Sequence, residues 1–267
     1  MLRMPAVAGR FYPSDPAELT ALVQHYTEQE KGKVEAKACL VPHAGYVYSG
    51  AVAGAVLGRL ALPNKILILG VRHYPRGEKA AIWSSGAWRT PLGDVTINEG
   101  LAEELKKACP ALREDSVAHS AEHSLEVQVP FLQVLAPEFT FVPVALGTVR
   151  LEELVEIGEG IGSVLASARE RILLLTTSDL NHYENDAVTR LKDGKAIEQM
   201  LARDARGLYE VCRNEEISMC GLGPAVAMLT ALQKMGASEA ELVRHATSAE
   251  VSGDFSAVVG YAGMIFR

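Results

Sequence analysis

In Lys65-Ile66-Leu67-Ile68-Leu69-Gly70-Val71-Arg72-His73 the unbroken apolar run 66–71 leads through an arginine to a histidine. A short run without polar alternation is the pattern of a strand covered on both faces, as in a parallel sheet. Cys39-Leu40-Val41-Pro42-His43 and Leu173-Leu174-Leu175-Thr176-Thr177-Ser178-Asp179-Leu180-Asn181-His182 also lead from an apolar run to a histidine, the latter through a polar stretch. In open α/β sheets, ligands bind beyond the carboxyl ends of the parallel strands. If these strands are parallel neighbours, His43, His73, Asp179 and His182 converge there.

Outward from these runs, the apolar pattern alternates between β-type segments and longer helical ones, the signature of α/β layering. Strands are expected at Ala38–Val41, Lys65–Val71, Phe139–Leu146, Ile172–Thr176 and Ser256–Phe266. Helices are expected at Asp15–Glu30, Ser49–Leu60, Glu99–Cys109, Glu152–Arg169, Ala187–Cys212 and Pro224–Met235. Ser120–Leu135 has helical spacing, with Pro130 expected to kink or split it. Tyr74 to Asn98 reads as a β-rich excursion outside the main alternation. No repeat or linker interrupts the pattern, so residues 1–267 are read as one domain: an α/β fold with a mixed, mostly parallel sheet flanked by helices.

The 267 residues are 48% hydrophobic and 22% charged, an ordinary globular balance that argues against disorder. Lys and Arg total 26 against 33 Asp and Glu, net −7, so there is no general footprint for nucleic acid. No apolar run reaches the roughly 20 residues needed to span a bilayer, and no secretory leader is evident. Cys39, Cys109, Cys212 and Cys220 have neither C-x-x-C pairing nor disulfide-scaffold spacing. A membrane-free, reducing, cytoplasmic setting is the expectation.

His43 lies in Pro42-His43-Ala44-Gly45-Tyr46-Val47-Tyr48-Ser49-Gly50, where small residues let backbone approach a ligand and Tyr46 and Tyr48 are expected to wall the cleft. Each histidine taken singly also reads as a hydrogen-bonded turn residue. Cys220 precedes a helix expected near Pro224, a position that stabilises a thiolate, though a free cysteine is equally a small core residue. His119, Glu122, His123 and Glu126 share a helical face by spacing. H-x-x-E-H is superficially an inverted zinc-protease motif; a substrate-facing or supporting role is the expectation, with His123 facing substrate. Asp179 is expected to hold His182 as a general acid or base.

These residues fall in ordered blocks: Ala8-Gly9-Arg10-Phe11-Tyr12-Pro13, the His43 segment, Glu122-His123-Ser124-Leu125-Glu126, Ser178-Asp179-Leu180-Asn181-His182, Cys220-Gly221 and Ser252-Gly253-Asp254-Phe255-Ser256 with Gly260-Tyr261. Over essentially the whole chain the sequence resembles the Memo family, also called AmmeMemoRadiSam system protein B. The resemblance implies a fold similar to class III extradiol dioxygenases, whose non-haem Fe(II) is held by two histidines and a carboxylate. It further implies a metal site of His43, His73 and Cys220, with Asp179 and His182 beside it. A thiol where those dioxygenases have a carboxylate departs from ring-cleaving chemistry. Two imidazoles and a thiolate suit Fe(II), Cu or Zn alike, and it is the resemblance to iron dioxygenases that puts Fe(II) first. The expected function is a metal-dependent oxidoreductase acting on a small molecule. The alternatives are a peptide- or protein-binding module using the same cleft, or a metal-free cysteine nucleophile with His182 as base. The family's prokaryotic name implies a functional link to radical-SAM and AMMECR-type proteins.

Overall fold

The structure, a computed structural model, describes residues 1–28 and 32–267. Four parallel strands form its centre, in the order Ala38–Val41, Ile172–Thr177, Lys65–Val71 and Thr140–Leu146. Val258–Phe266 adds antiparallel to Ala38–Val41, and both Asp179–Glu184 and Ala240–Thr247 pair antiparallel with Val258–Phe266. At the other edge Ala80–Ile82 runs antiparallel to Thr140–Leu146 and carries Arg113–Glu114. The result is a nine-stranded mixed sheet among the described residues.

Side-chain alternation along the central strands builds two apolar layers, because successive residues face opposite sides. Leu40, Leu67, Leu69, Val142, Val144 and Leu174 pack on one face under Leu151–Ser167 and Leu222–Met235. Cys39, Val41, Ile66, Ile68, Leu173 and Leu175 pack on the other with Pro16–Thr27, Tyr46–Leu57 and Val129–Leu135. All these strand residues are essentially inaccessible, which explains the unbroken apolar runs.

Local chemistry sets the helix ends. Asp15 accepts from the backbone N–H groups of Ala17 and Glu18 at 2.9 Å each, ahead of Pro16 in the first turn. The expected end of this helix at residues 29 and 30 lies outside the described residues. Tyr46–Leu57 begins three residues earlier than its expected start at Ser49 and packs tightly against the first helix. A Cβ at Gly54 would come within 2.4 Å of the Tyr26 carbonyl oxygen.

Three expectations are corrected. The span 187–212 is two helices, Asp186–Ala202 and Ala205–Asn214, broken at left-handed Arg203 with Asp204 capping the second. Ser120–Leu135 is a short helix Val117–Ser120, a 3-10 turn Glu126–Gln128 and a helix Val129–Leu135; Pro130 sits in the first turn of the last, where its missing N–H costs nothing. Within the excursion from Tyr74, Ala80–Ile82 joins the main sheet. Ala87–Thr90 and Gly93–Thr96 form a small sheet with the N-terminal strand Leu2–Arg3. Among the described residues, no helix is long and apolar enough to cross a membrane.

Candidate metal centre

His43 follows Ala38–Val41 and His73 follows Lys65–Val71, both at the carboxyl ends of parallel strands. His123 reaches the same point from the loop between Val117–Ser120 and the 3-10 turn. One ligand atom from each of these three imidazoles lies within 4.8 Å of the other two, so the group can hold a metal ion. The His73 and His123 rings stack with centroids 4.5 Å apart, and His43 stands edge-on to both at 5.2 and 5.6 Å. The cluster runs from buried His43 to exposed His73, so one side opens to solvent.

The carboxylate of Glu122 organises this group. It is fully buried and accepts from His73 Nδ1 at 2.8 Å, from the His73 backbone N–H at 2.7 Å and from the Ser124 N–H at 2.8 Å. Its Oε1 also lies 3.6 Å from His123 Nδ1. Because a carboxylate only accepts, His73 Nδ1 carries the proton and Nε2 keeps its lone pair, the form that ligates metals. Burial raises the cost of the Glu122 charge, but the bonds from His73 and Ser124 and the nearby imidazoles outweigh it and hold the pKa down to about 2. Burial, with the neighbouring imidazoles, lowers His43 to about 3 and His123 to about 4, leaving both neutral near neutral pH.

Cys220, at the entry to Leu222–Met235, places Sγ 3.1 Å from His43 Nε2. The Asp179 backbone N–H donates to the same sulfur at 3.3 Å. Burial first, then the Asp179 charge, push the thiol well above its usual pKa, so a thiolate there needs a cation beside it. Asp179 Oδ1 accepts from the His43 backbone N–H at 2.8 Å, and Thr177 Oγ1 is hydrogen-bonded to His43 Nδ1 at 2.8 Å. Burial raises the Asp179 pKa, opposed chiefly by the His43 N–H. Thus Asp179 fixes His43 and Cys220, whereas Ser218 holds His182: the Ser218 carbonyl accepts from His182 Nδ1 at 2.9 Å. The imidazole that touches the thiol is that of His43, which corrects the pairing of Cys220 with His182 as its base.

Two other placements differ from expectation. Tyr46 points into the core, 3% exposed, its hydroxyl donating to the Val127 carbonyl at 2.7 Å and its ring 4.8 Å from Phe131. Its apolar body is worth more in the core than at the cleft, and its one polar atom is satisfied there, so it does not wall the cleft. Tyr48 remains exposed, close enough to the buried Tyr261 hydroxyl to raise its pKa electrostatically, after burial and Asp179. His119 and His123 do not share a helix face. His119 is buried against Trp83 and Trp88 and donates from Nε2 to the Ala81 carbonyl, so the inverted zinc-protease arrangement is absent.

Glu126 plays a part that is not legible in the sequence. It is 1% exposed and accepts from Arg3 Nη1 at 2.6 Å, the Ala6 and Val7 N–H groups at 2.8 and 3.0 Å, and the Tyr12 hydroxyl at 2.6 Å. Arg3 in turn donates to the carbonyls of His119 and Glu122 at 2.8 and 2.7 Å, tying the N-terminus to the loop of His123. Nothing in the local pattern signals a pairing across 123 residues.

The fold and site together define an α/β protein with a histidine-rich candidate metal centre at the carboxyl ends of its parallel strands. The family model for Memo-like proteins matches residues 3–265, and the chain belongs to this family. A MEMO1 family protein of Methanopyrus kandleri is 41% identical over 281 aligned positions, spanning 100% of this chain and 99% of that protein. One of Aquifex aeolicus is 40% identical over 99% of each. Among solved structures, an uncharacterised Escherichia coli K12 protein superposes with a TM-score of 0.56 at 11% identity, covering 85% of this chain and 98% of that one, a likeness of fold alone.

Proposed function

We propose that this chain is a metal-dependent oxidoreductase whose metal is held by His43, His73 and His123, with Cys220 as a further ligand, and that its substrate is a small molecule entering from the open side. The observation that carries this reading is the convergence of three imidazoles, with His73 oriented by a buried carboxylate on its far nitrogen. Imidazole and thiolate donors accept Fe(II), Cu or Zn, and of these Fe(II) and Cu are the redox-active ions an oxidoreductase uses. A bound redox metal supplies electron transfer and Lewis acidity at positions the protein leaves open. The chain's own groups do the rest. Asp179 holds the His43 backbone and the Cys220 sulfur in place, and His182, its Nδ1–H donated to a carbonyl, keeps Nε2 as a proton acceptor.

A metal-free cysteine nucleophile is the weaker reading, because burial keeps the thiol protonated and the adjacent His43 is too desolvated to take its proton readily. The test uses protein loaded anaerobically with Fe(II), then given oxygen and ascorbate. Oxygen uptake is expected to exceed that of free Fe(II) and to fall at least about tenfold in His73→Ala, in line with the cost of disturbing even supporting residues. Uptake no faster than free Fe(II) sinks the oxidoreductase reading in favour of a module that binds a peptide or small molecule in this cleft.

A further inference from the structure

A chain of hydrogen bonds leads away from His182 into a part of the molecule the metal centre does not use. Asp179–Glu184 pairs with Val258–Phe266 with register shifts on both sides of His182, and Tyr183 next to it has φ +62°. Bulges of this kind re-aim side chains, and between them His182 stays opposite Val259. Ser218 supplies what the ladder does not: its Oγ accepts from the His182 N–H at 2.8 Å, and its carbonyl accepts from His182 Nδ1 at 2.9 Å. Ser218 is itself held by Asn181, whose Oδ1 accepts from both the Ser218 N–H and hydroxyl at 3.1 Å. The Asn181 backbone N–H then donates to Asp193 Oδ1 at 2.9 Å, and His245 Nε2 donates to Asp193 Oδ2 at 2.8 Å.

Asp193 lies in the helix Asp186–Ala202 and is fully buried. Burying a carboxylate is costly unless each lone pair is used. Here both oxygens are used, one on the strand of His182 and one on the edge strand Ala240–Thr247. The sheet makes room for it: a Cβ at Gly260 would come within 1.9 Å of Asp193 Oδ2. Deleting this carboxylate removes the acceptor of the Asn181 backbone N–H, while Asn181 Nδ2 keeps its bond to Glu184 Oε2 at 2.7 Å, so the serine that grips the imidazole is loosened through the Asn181 backbone.

We infer that Asp193 is a positioning residue for His182, acting through Asn181 and Ser218 to fix the imidazole with its proton on Nδ1 and its Nε2 free as an acceptor. Its catalytic meaning rests on the proposed part of His182, but the positioning itself is measurable without metal or substrate. The readout is the tautomer of His182 by long-range nitrogen–proton NMR on histidine-labelled, metal-free protein, with the signal assigned by its loss in His182→Gln.

Wild type is expected in the Nδ1–H form. Asp193→Ala should lower the ratio of Nδ1–H to Nε2–H by about fivefold, the size of one net hydrogen bond, and Asp193→Asn, which keeps an acceptor oxygen, should restore it. Ser218→Ala changes an exposed position and should lower the ratio similarly; it carries the question if Asp193→Ala fails to fold. A wild-type His182 protonated on Nε2, or a ratio unchanged in the folded variants, overturns the inference. A shifted tautomer in a protein that binds no metal would instead leave the positioning intact and remove the proposed function.

Discussion

Glu126→Ala should lower the unfolding free energy by about 3–5 kcal/mol, the range found when one member of a buried ion pair is removed. The deletion strands the guanidinium of Arg3, whose side chain is only 2% exposed. It also leaves the Ala6 and Val7 N–H groups and the Tyr12 hydroxyl without their acceptor. Each orphaned buried donor carries a desolvation cost of its own. The Arg3 guanidinium additionally lies 4.1 Å from the Trp88 ring centroid, so its displacement disturbs an aromatic contact. Urea denaturation with an unchanged slope would register the loss as a lower midpoint. Because Arg3 also grips the carbonyls of His119 and Glu122, the same variant should loosen the loop that presents His123. A loss below about 1 kcal/mol, the level of an exposed pair, would mean that Glu126 is not the hub its contacts describe.

The second large effect concerns Glu122. Glu122→Gln keeps the size of the side chain but removes the charge and offers one acceptor oxygen where the carboxylate uses two. His73 then loses either its oriented Nδ1–H or its anchored backbone. Metal affinity is expected to fall about 10- to 100-fold, as for other changes to groups that orient metal-binding histidines. Anaerobic Fe(II) titrations of wild type and variant check this. Equal affinities would show that the carboxylate is not what prepares His73. Acid should act in the same direction: as pH falls toward the lowered pKa of about 2, Glu122 takes up a proton and the contribution of its charge to the folded site is lost.

Much of this arrangement was legible because burial leaves a plain mark on sequence. Ala38–Val41 and Ile66–Val71 are covered on both faces, so their residues are uniformly apolar and their ends stand out at Pro42 and Arg72. The rule that sites lie at strand carboxyl ends then located His43 and His73. Asp179–Glu184 left no such mark: it is a bulged edge strand carrying Asn181, His182 and Glu184. Ala240–Thr247 is half-buried with Leu242 and Arg244 exposed, and its role depends on pairing with Val258–Phe266.

His123 was legible as a functional residue but not as a member of the histidine group. Its spacing from His119 suggested a shared helix face, whereas the chain turns at Ala121 and separates them. Which imidazoles meet depends on how the loop from Ser120 to Glu126 docks on Arg3 and on the end of Lys65–Val71. Ser124, which accepts from the Val71 N–H and donates to its carbonyl, makes the second of those contacts. Such docking is a property of distant residues, and local periodicity cannot carry it.

If His43, His73 and His123 hold a metal ion, X-ray absorption of Fe(II)-loaded protein reads them directly in the ligand shell. Three imidazole nitrogens are expected at about 2.0–2.2 Å, with one sulfur at about 2.3 Å if Cys220 joins them, and the imidazole signal should be lost in the His43→Ala/His73→Ala/His123→Ala variant. A shell of oxygen atoms only, or an unchanged imidazole signal in that variant, would contradict metal binding by these three histidines.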